Sequence, residues 1–211
     1  MADETNTRSR LLQAAMALFA EHGYEQTTIA MISQQASANV AAVNYHFGDK
    51  QSLYQEALRT AHQLANDVFP VSLPKGAEVT PEQRLRHHIH AMLSQIFCET
   101  EAGYLSRMVA KEFAEPSFAV DLIFSELIGQ NRAHMKAVIE GILGHQVPAE
   151  QRQLAMLSVV AQFQFYNFSR LIREFGGGPR LPLPNVKMIA DHIYTFSLAG
   201  LRGLKEGACS Q

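Results

Sequence analysis

Apolar residues recur three and four positions apart along most of the chain. Between Thr7 and Gly23 they are Leu11, Leu12, Ala15, Leu18 and Phe19, one face of an amphipathic helix. Gly23 suits the position just past a helix end, where φ is positive. A second helix is expected from Thr28, whose hydroxyl can cap the free amides of a first turn; its stripe is Ile29, Ile32 and Ala36. After a break at Ser37-Ala38-Asn39, Asn39 is a natural N-cap for a third short helix running to about Phe47. Gly48 suits its stop and Asp49 the next N-cap. The helix that follows carries Leu53, Ala57, Ala61, Leu64, Ala65 and Val68 and ends before Pro70. Pro70 to Pro81 contains three prolines and a glycine and reads as a loop or hinge.

Beyond Pro81 the spacing predicts helices over about 81–99, 103–114, 117–144, 149–175 and 185–205. They are punctuated by Gly103, Glu115-Pro116, Gly144 with Pro148, and Gly176-Gly177-Gly178-Pro179. No region alternates apolar and polar residues as a strand does. The expected fold class is all-α. An N-terminal three-helix helix-turn-helix unit, residues 1–55, is joined by a connecting helix to a larger helical body, residues 56–211.

Composition narrows the function classes. Of 211 residues, 47% are hydrophobic and 18% charged, the balance of an ordinary globular protein. Lys and Arg number 18 against 20 Asp and Glu, a net charge of −2. This excludes a chain coated in basic residues for non-specific nucleic-acid binding, but leaves room for a local site. Cys98 and Cys209 are far apart, which argues against a disulfide framework and fits a reducing compartment. No run approaches the roughly 20 apolar residues of a membrane span. The N-terminus is acidic, with no apolar stretch behind it, unlike a signal peptide. A cytoplasmic protein is expected.

The informative stretch is Thr28 to Lys50. Two short helices joined by a tight turn form a helix-turn-helix, whose second helix can enter the DNA major groove. The same geometry also occurs as a plain structural corner, so residue identity matters. Ile32, Val43 and Phe47 are apolar residues able to hold the two helices together. Between Asn39 and His46 the remaining residues are small or hydrogen-bonding: Val40, Ala41, Ala42, Asn44, Tyr45 and His46. Ala41 and Ala42 permit close approach to base edges, and Asn44 can pair bidentately with adenine. Tyr45, His46, Thr28 and Lys50 are placed to reach phosphate oxygens.

These residues carry a resemblance. Thr27-Thr28-Ile29-Ala30-Met31-Ile32-Ser33, the turn, and Val43-Asn44-Tyr45-His46-Phe47-Gly48-Asp49-Lys50-Gln51-Ser52-Leu53-Tyr54 resemble the N-terminal signature of TetR-family transcriptional regulators. Leu11-Leu12-Gln13-Ala14-Ala15, Leu18-Phe19-Ala20 and Gly23-Tyr24 are similar to that family's first helix. The segment Met108 to Ser117, Met-Val-Ala-Lys-Glu-Phe-Ala-Glu-Pro-Ser, resembles the CecR-like subgroup. The resemblance implies a homodimer that binds a palindromic operator on double-stranded DNA, usually represses, and is released by a small-molecule effector held in the C-terminal body. It implies Asn39 to His46 as recognition helix and Lys50 as a phosphate contact.

Two departures stand out within this signature. Ser37 stands where the family commonly has Gly, and Asn44 where it commonly has an aromatic residue. Residues 1–55 also carry only Arg8, Arg10 and Lys50 against Asp3, Glu4, Glu21, Glu25 and Asp49. Phosphate contacts would then come from helix N-terminal amides, hydroxyls and Tyr45, with modest non-specific affinity and a shallow salt dependence.

In the last two long helices Leu157, Ala161, Phe165 and Phe168, and Ile189, Ile193, Phe196, Ser197 and Gly200, place apolar and small residues on more than one face. Such helices are either buried in one chain or pair with a second copy in a four-helix interface; the resemblance favours the dimer. Candidate effector-lining residues are Phe97, Tyr104, Met108, Phe118, Phe124, Met135, Phe163 and Tyr166, with Asn167 and Arg170 as polar anchors. Aromatic and Met side chains suit an adaptable, largely apolar cavity, and equally suit plain core packing.

No enzyme is expected. His87, His88 and His90 lack a Cys or carboxylate at close ligand spacing, no Glu-x-x-His or His-Glu-x-x-His occurs, and the glycine run at 176–178 lacks strand-and-helix context. Neither metal nor cofactor is expected. The alternatives in other classes are an all-α enzyme working in the C-terminal cavity and a helical interaction module.

Overall fold

The computed structural model describes residues 2–74, 76, 78–175 and 185–209, without the side chains of 2–5, 168–175 and 209. Every regular element among them is helical, and no helix among them is long and apolar enough to cross a membrane. The chain divides into two compact units. One comprises residues 1–68 and 98–127, the other 69–97 and 128–211.

The first unit opens with α1, Ala2–Gln26, interrupted at Gly23, where φ is +79°. Only glycine takes that conformation without penalty, so the helix proper stops where the sequence places its end. The Thr27 hydroxyl then donates to the carbonyls of Leu18 and Gly23 at 3.2 and 2.7 Å, covering carbonyls that the ending helix leaves open. There follow α2, Ile29–Gln35; α3, Val40–Phe47; α4, Lys50–Val68; and α6, Tyr104–Ala114. Leu11, Ala15, Phe19, Ile32, Val43, Leu53, Tyr54 and Leu58 are fully buried. Phe19 and Tyr24 stack at 6.2 Å, and both, with Phe118, pack edge-on or tilted around Tyr54, with ring centroids 4.6–6.1 Å apart.

The second unit contains α5, Pro81–Phe97; α8, Gly129–Leu143; α9, Ala149–Phe175; and α10, Val186–Cys209. Its core interleaves Leu85, Ile89, Leu93 and Ile96 of α5 with Met135, Val138 and Ile142 of α8. Met156, Val159 and Phe163 of α9 and Ile189, Ile193 and Leu201 of α10 complete it. On the surface, Asp191 of α10 accepts from Arg86 at 2.7 Å, Lys187 at 2.9 Å and His90 at 3.1 Å. The hydrogen bonds from Lys187 and then Arg86 hold its carboxyl well below the usual range.

One helix expected from the spacing is not continuous. Residues 117–144 form α7, Val120–Leu122, then a π-turn over Ile123–Leu127, then α8. The Ser125 hydroxyl takes the Asp121 carbonyl at 2.6 Å, a back-bond that competes with the helical ladder. The wider turn keeps both Ile123 and Leu127 buried, and the boundary between the two units falls directly after Leu127. Apolar spacing alone does not register a change of winding over one turn.

Candidate nucleic-acid interface

The local chemistry of α2 to α4 is a chain of caps. Thr28, in extended conformation, accepts from the Met31 amide at 3.2 Å and starts α2. Asn39 Oδ1 accepts from the Ala41 amide at 2.9 Å and starts α3. Gly48, with φ +83°, ends it. Asp49 Oδ1 accepts from the Ser52 amide at 2.7 Å and starts α4; that backbone bond and the neighbouring Ser52 hydroxyl draw the Asp49 carboxyl down from its usual value.

Between α2 and α3 the amide of Ser37 bonds to the carbonyl of Gln34 at 3.1 Å and that of Ala38 to the carbonyl of Ser33 at 2.9 Å. This paired closure is the Schellman motif, whose turning residue must be left-handed. That residue is Ser37, with φ +49°, the only non-glycine residue of positive φ among those described. Serine here takes the conformation that favours glycine, at the expense of strain that it tolerates better than a β-branched residue would.

α3 is two-faced. Val43 and Phe47 are buried in the first unit, and Ile32 and Ser33 of α2 are buried with them. On the other face Asn39, Ala41 and Asn44 are exposed; Val40 and Tyr45 are 49% and 75% exposed. Ala42 and His46 are half-buried, and the Tyr45 and His46 rings meet edge-on at 4.9 Å. Thr28 is exposed at the start of α2. An exposed valine and tyrosine flanking alanine and asparagine give a short solvent-facing ridge of small and hydrogen-bonding groups.

The cations of this region are occupied internally. Arg8 donates two bonds to the Glu56 carboxylate, at 2.6 and 2.8 Å, and lies 4.9 Å from the Phe47 ring centroid. Lys50, half-buried, holds its ammonium 4.2 Å from the Tyr24 ring centroid. Arg10 donates to the Thr7 hydroxyl. The first unit carries six Lys and Arg against thirteen Asp and Glu, a net −7.

One link escaped the sequence reading. Glu112, 3% exposed, accepts from the Tyr54 hydroxyl and from both the amide and hydroxyl of Ser117. The signal was available: Tyr54 falls on the apolar stripe of α4, and a buried phenol needs an acceptor.

In the second unit, Leu157, Ala161, Phe165, Phe196 and Gly200 are exposed, joined by Leu154 and Met188. They lie on outward faces of α9 and α10. Ile189, Ile193 and Ser197, expected with them at a dimer interface, are 3%, 2% and 5% exposed and buried in their own unit, on the side of α10 away from the outer stripe. The side chains of Phe168 and Arg170 lie outside the described residues.

The expected effector-lining residues divide between the units. Tyr104, Met108, Phe118 and Phe124 belong to the first, where Met108 is buried and Phe124 half-exposed against Phe113. Phe97, Met135, Phe163, Tyr166 and Asn167 belong to the second, with Met135, Phe163 and Asn167 buried and the Phe97 and Tyr166 rings 5.9 Å apart. In the same unit His88 is 2% exposed with Nδ1 unpartnered, beside the rings of His134 at 5.6 Å and Phe163 at 6.1 Å. His134 Nε2 and Gln164 Oε1 are likewise buried without a partner. Burial, then the neighbouring His134, pushes the His88 imidazole down to about 3, against a bond to Val71. The three histidines of α5 thus serve three ends: His87 bonds the Pro70 carbonyl, His88 enters the core and His90 meets Asp191. Cys98 is half-buried, its sulfur 3.1 Å from the Thr100 hydroxyl.

Comparison with known proteins agrees with this layout. Residues 11–57 match the domain described as bacterial regulatory proteins, tetR family. Residues 81–201 match the C-terminal domain of the HTH-type transcriptional dual regulator CecR. The chain is 26% identical over 148 residues to CecR of Shigella flexneri, covering 65% of each protein. It is 32% identical over 84 residues to the HTH-type transcriptional repressor AcnR of Corynebacterium glutamicum, covering 37% of this chain and 44% of AcnR. The matched spans thus cover less than two thirds of either relative. Among solved structures, the hemolysin II transcriptional regulator HlyIIR superposes with a TM-score of 0.64 at 22% identity, over 90% of this chain and 97% of that one. A TetR-like regulator from Rhodococcus sp. RHA1 gives 0.67 at 15% identity, over 93% and 96%. Those two likenesses establish the fold. Because the CecR-type match alone runs through more than half of the sequence, behind a tetR-type helix-turn-helix, the chain belongs to the TetR family of DNA-binding transcriptional regulators.

Proposed function

We propose that this regulator binds a palindromic operator as a homodimer, represses transcription from it, and is released by a small, largely apolar effector. The observation that carries the reading is the two-faced α3: Val43 and Phe47 anchor it while Asn39, Val40, Ala41, Asn44 and Tyr45 stay open to solvent. A helix so mounted can enter a major groove with its base-reading residues outermost. Asn44 reads an adenine, Ala41 and Ala42 allow close approach, and Thr28, Tyr45, His46 and Lys50 contact phosphates. For Lys50 this requires its ammonium to leave the Tyr24 ring, an exchange of one cation partner for another. Residues before about 55 meet DNA; those after it bind effector and partner.

The exposed stripes of α9 and α10 supply the partner surface. Paired with a second copy they form a four-helix interface, and two-fold symmetry sets the recognition helices about 34 Å apart, on successive major grooves. The effector enters the second unit among α5, α8 and α9, where Phe97, Met135, Phe163 and Tyr166 offer apolar surface and the unpaired His88 and Gln164 atoms offer polar anchors. Its binding favours a conformation in which α4 holds the two recognition helices at the wrong spacing, in proportion to its differential affinity for the two states. AcnR is named a repressor and CecR a dual regulator, and repression accords with both names.

The test is selection of genomic fragments by the purified chain, followed by footprinting and a screen of small molecules for release. A palindromic footprint lost in Tyr45→Ala and Asn44→Ala, with helix content unchanged, is expected. Selection of no sequence, or footprints indifferent to both substitutions, would remove the reading.

A further inference from the structure

In the second unit, the face of α9 turned away from its exposed apolar stripe borders a basic cleft. A cleft of about 240 Å³ opens between α8 and α9. That volume holds about eight waters at their liquid packing, more than a simple ion needs. Arg132 and Lys136 stand one turn apart on α8, and Arg152 reaches across from the first turn of α9, with the Gln153 amide beside it and Met156 as an apolar wall. The one carboxylate of the lining is Glu140, so the cleft carries three cations against one anion. It sits in a unit of twelve Lys and Arg against seven Asp and Glu, in a chain that is acidic as a whole.

Arg152 is the distinguishing group. Its side chain is only 18% exposed. One terminal nitrogen donates to the Gly144 carbonyl at 3.3 Å, which orients the guanidinium plane. Its Nε is buried without a hydrogen-bond partner, and the Glu140 carboxylate stops 4.0 Å short, beyond hydrogen-bond range. A held guanidinium with an unused donor is the geometry that recognises planar or tetrahedral oxyanions. A staple between α8 and α9 would instead bring Glu140 into bonding distance.

We propose that this cleft binds a small molecule through a phosphate or carboxylate group, with Arg152 as the orienting donor and Arg132 and Lys136 as supporting charges. Glu140 caps the affinity, because its carboxylate, 4.0 Å from the guanidinium, already offsets part of the charge the ligand would meet. The site is separate from the helix-turn-helix and does not depend on the operator or effector readings above.

The experiment is titration of the full-length chain with inorganic phosphate and, separately, with malonate, at constant ionic strength made up with sodium chloride. Binding is followed by calorimetry and by amide chemical shifts. Saturable binding by at least one of the two anions is expected, weakened about tenfold by Arg152→Gln and measurably by Lys136→Gln, and unaffected by Arg202→Gln at an exposed position of α10. The stronger arm tells phosphate from carboxylate recognition. Lys136 is exposed, so Lys136→Gln decides the matter if Arg152→Gln fails to fold. No saturable binding by either anion, or binding that ignores Lys136→Gln or is lost equally in Arg202→Gln, overturns the proposal.

Discussion

The Tyr54 hydroxyl donates to Oε1 of Glu112 at 2.8 Å, across 58 residues of sequence. Both side chains are buried, and the same carboxylate accepts from the Ser117 amide at 3.0 Å. This one carboxylate fastens the start of α4, directly after α3, to the end of α6 and the turn beyond it. It also gives physical content to the Glu-Phe-Ala-Glu-Pro-Ser run: the glutamate accepts, the serine donates, and Pro116 stands between them. Tyr54→Phe is expected to cost about 1–2 kcal/mol, and Glu112→Ala more, about 2–4 kcal/mol, because it strands several buried donors. Urea denaturation checks both; equal small effects would show that the network contributes little.

Ser37 offers a gain. Its left-handed conformation costs a non-glycine residue of the order of 1 kcal/mol, partly offset by the greater freedom of glycine in the unfolded chain. Ser37→Gly should therefore raise stability by about 0.5 kcal/mol, and Ser37→Val should lower it by about 1–2 kcal/mol. Thermal melts of the two variants should move in opposite directions.

Acid should weaken the second unit through His88. Its folded imidazole is held near 3 by burial, while an unfolded histidine titrates near 6.5. Between those values the unfolded chain binds the extra proton, so stability is full above about pH 6.5 and is lost as pH falls, by about 1.4 kcal/mol per unit once well below it. His134 in the same unit, and His62 in the first, both also lowered chiefly by burial, act in the same direction. Asp191, with its carboxyl lowered by Lys187 and Arg86, loses its contribution only below about pH 4. His88→Phe should flatten the decline between pH 6.5 and 4.5, even though it leaves the Val71 bond unmade; a profile as steep as the parent's would place the sensitivity elsewhere.

Phe196 is 66% exposed and Leu157 50%, so a charge at either position is tolerable in a lone chain and costly only in a covered interface. Leu157→Glu and Phe196→Glu should each yield a folded monomer by sedimentation, with weakened operator binding. Dimers of undiminished affinity would move the interface off these helices.

Salt should act weakly on DNA affinity. With three basic residues before position 56, each already engaged within the chain, few counterions are released. The logarithmic slope should stay below about 3 in magnitude. A fluorescence titration over a fourfold range of salt measures it.

The helix-turn-helix was legible in the sequence because its signals are local. Thr28, Asn39 and Asp49 cap the amide two or three residues ahead, and Gly48 turns the chain by its own backbone freedom. The body was less legible where long-range packing decides. The same apolar spacing covers Ile189, which faces inward, and Met188, which does not. The π-turn at Ile123–Leu127 preserves the apolar rhythm that would announce a continuous helix. Residues 98–127 group with the first 68 rather than with their sequence neighbours, a fact no periodicity contains.

The thirteen acids that outnumber six bases in the first unit bear on how such a regulator would travel through a chromosome. At a distance the double helix would repel a unit of this charge, and only short-range contacts in a matching groove would overcome that repulsion. Molecules of this kind would spend little time parked on irrelevant sequence, so a small number of copies could remain free in solution and still find one promoter.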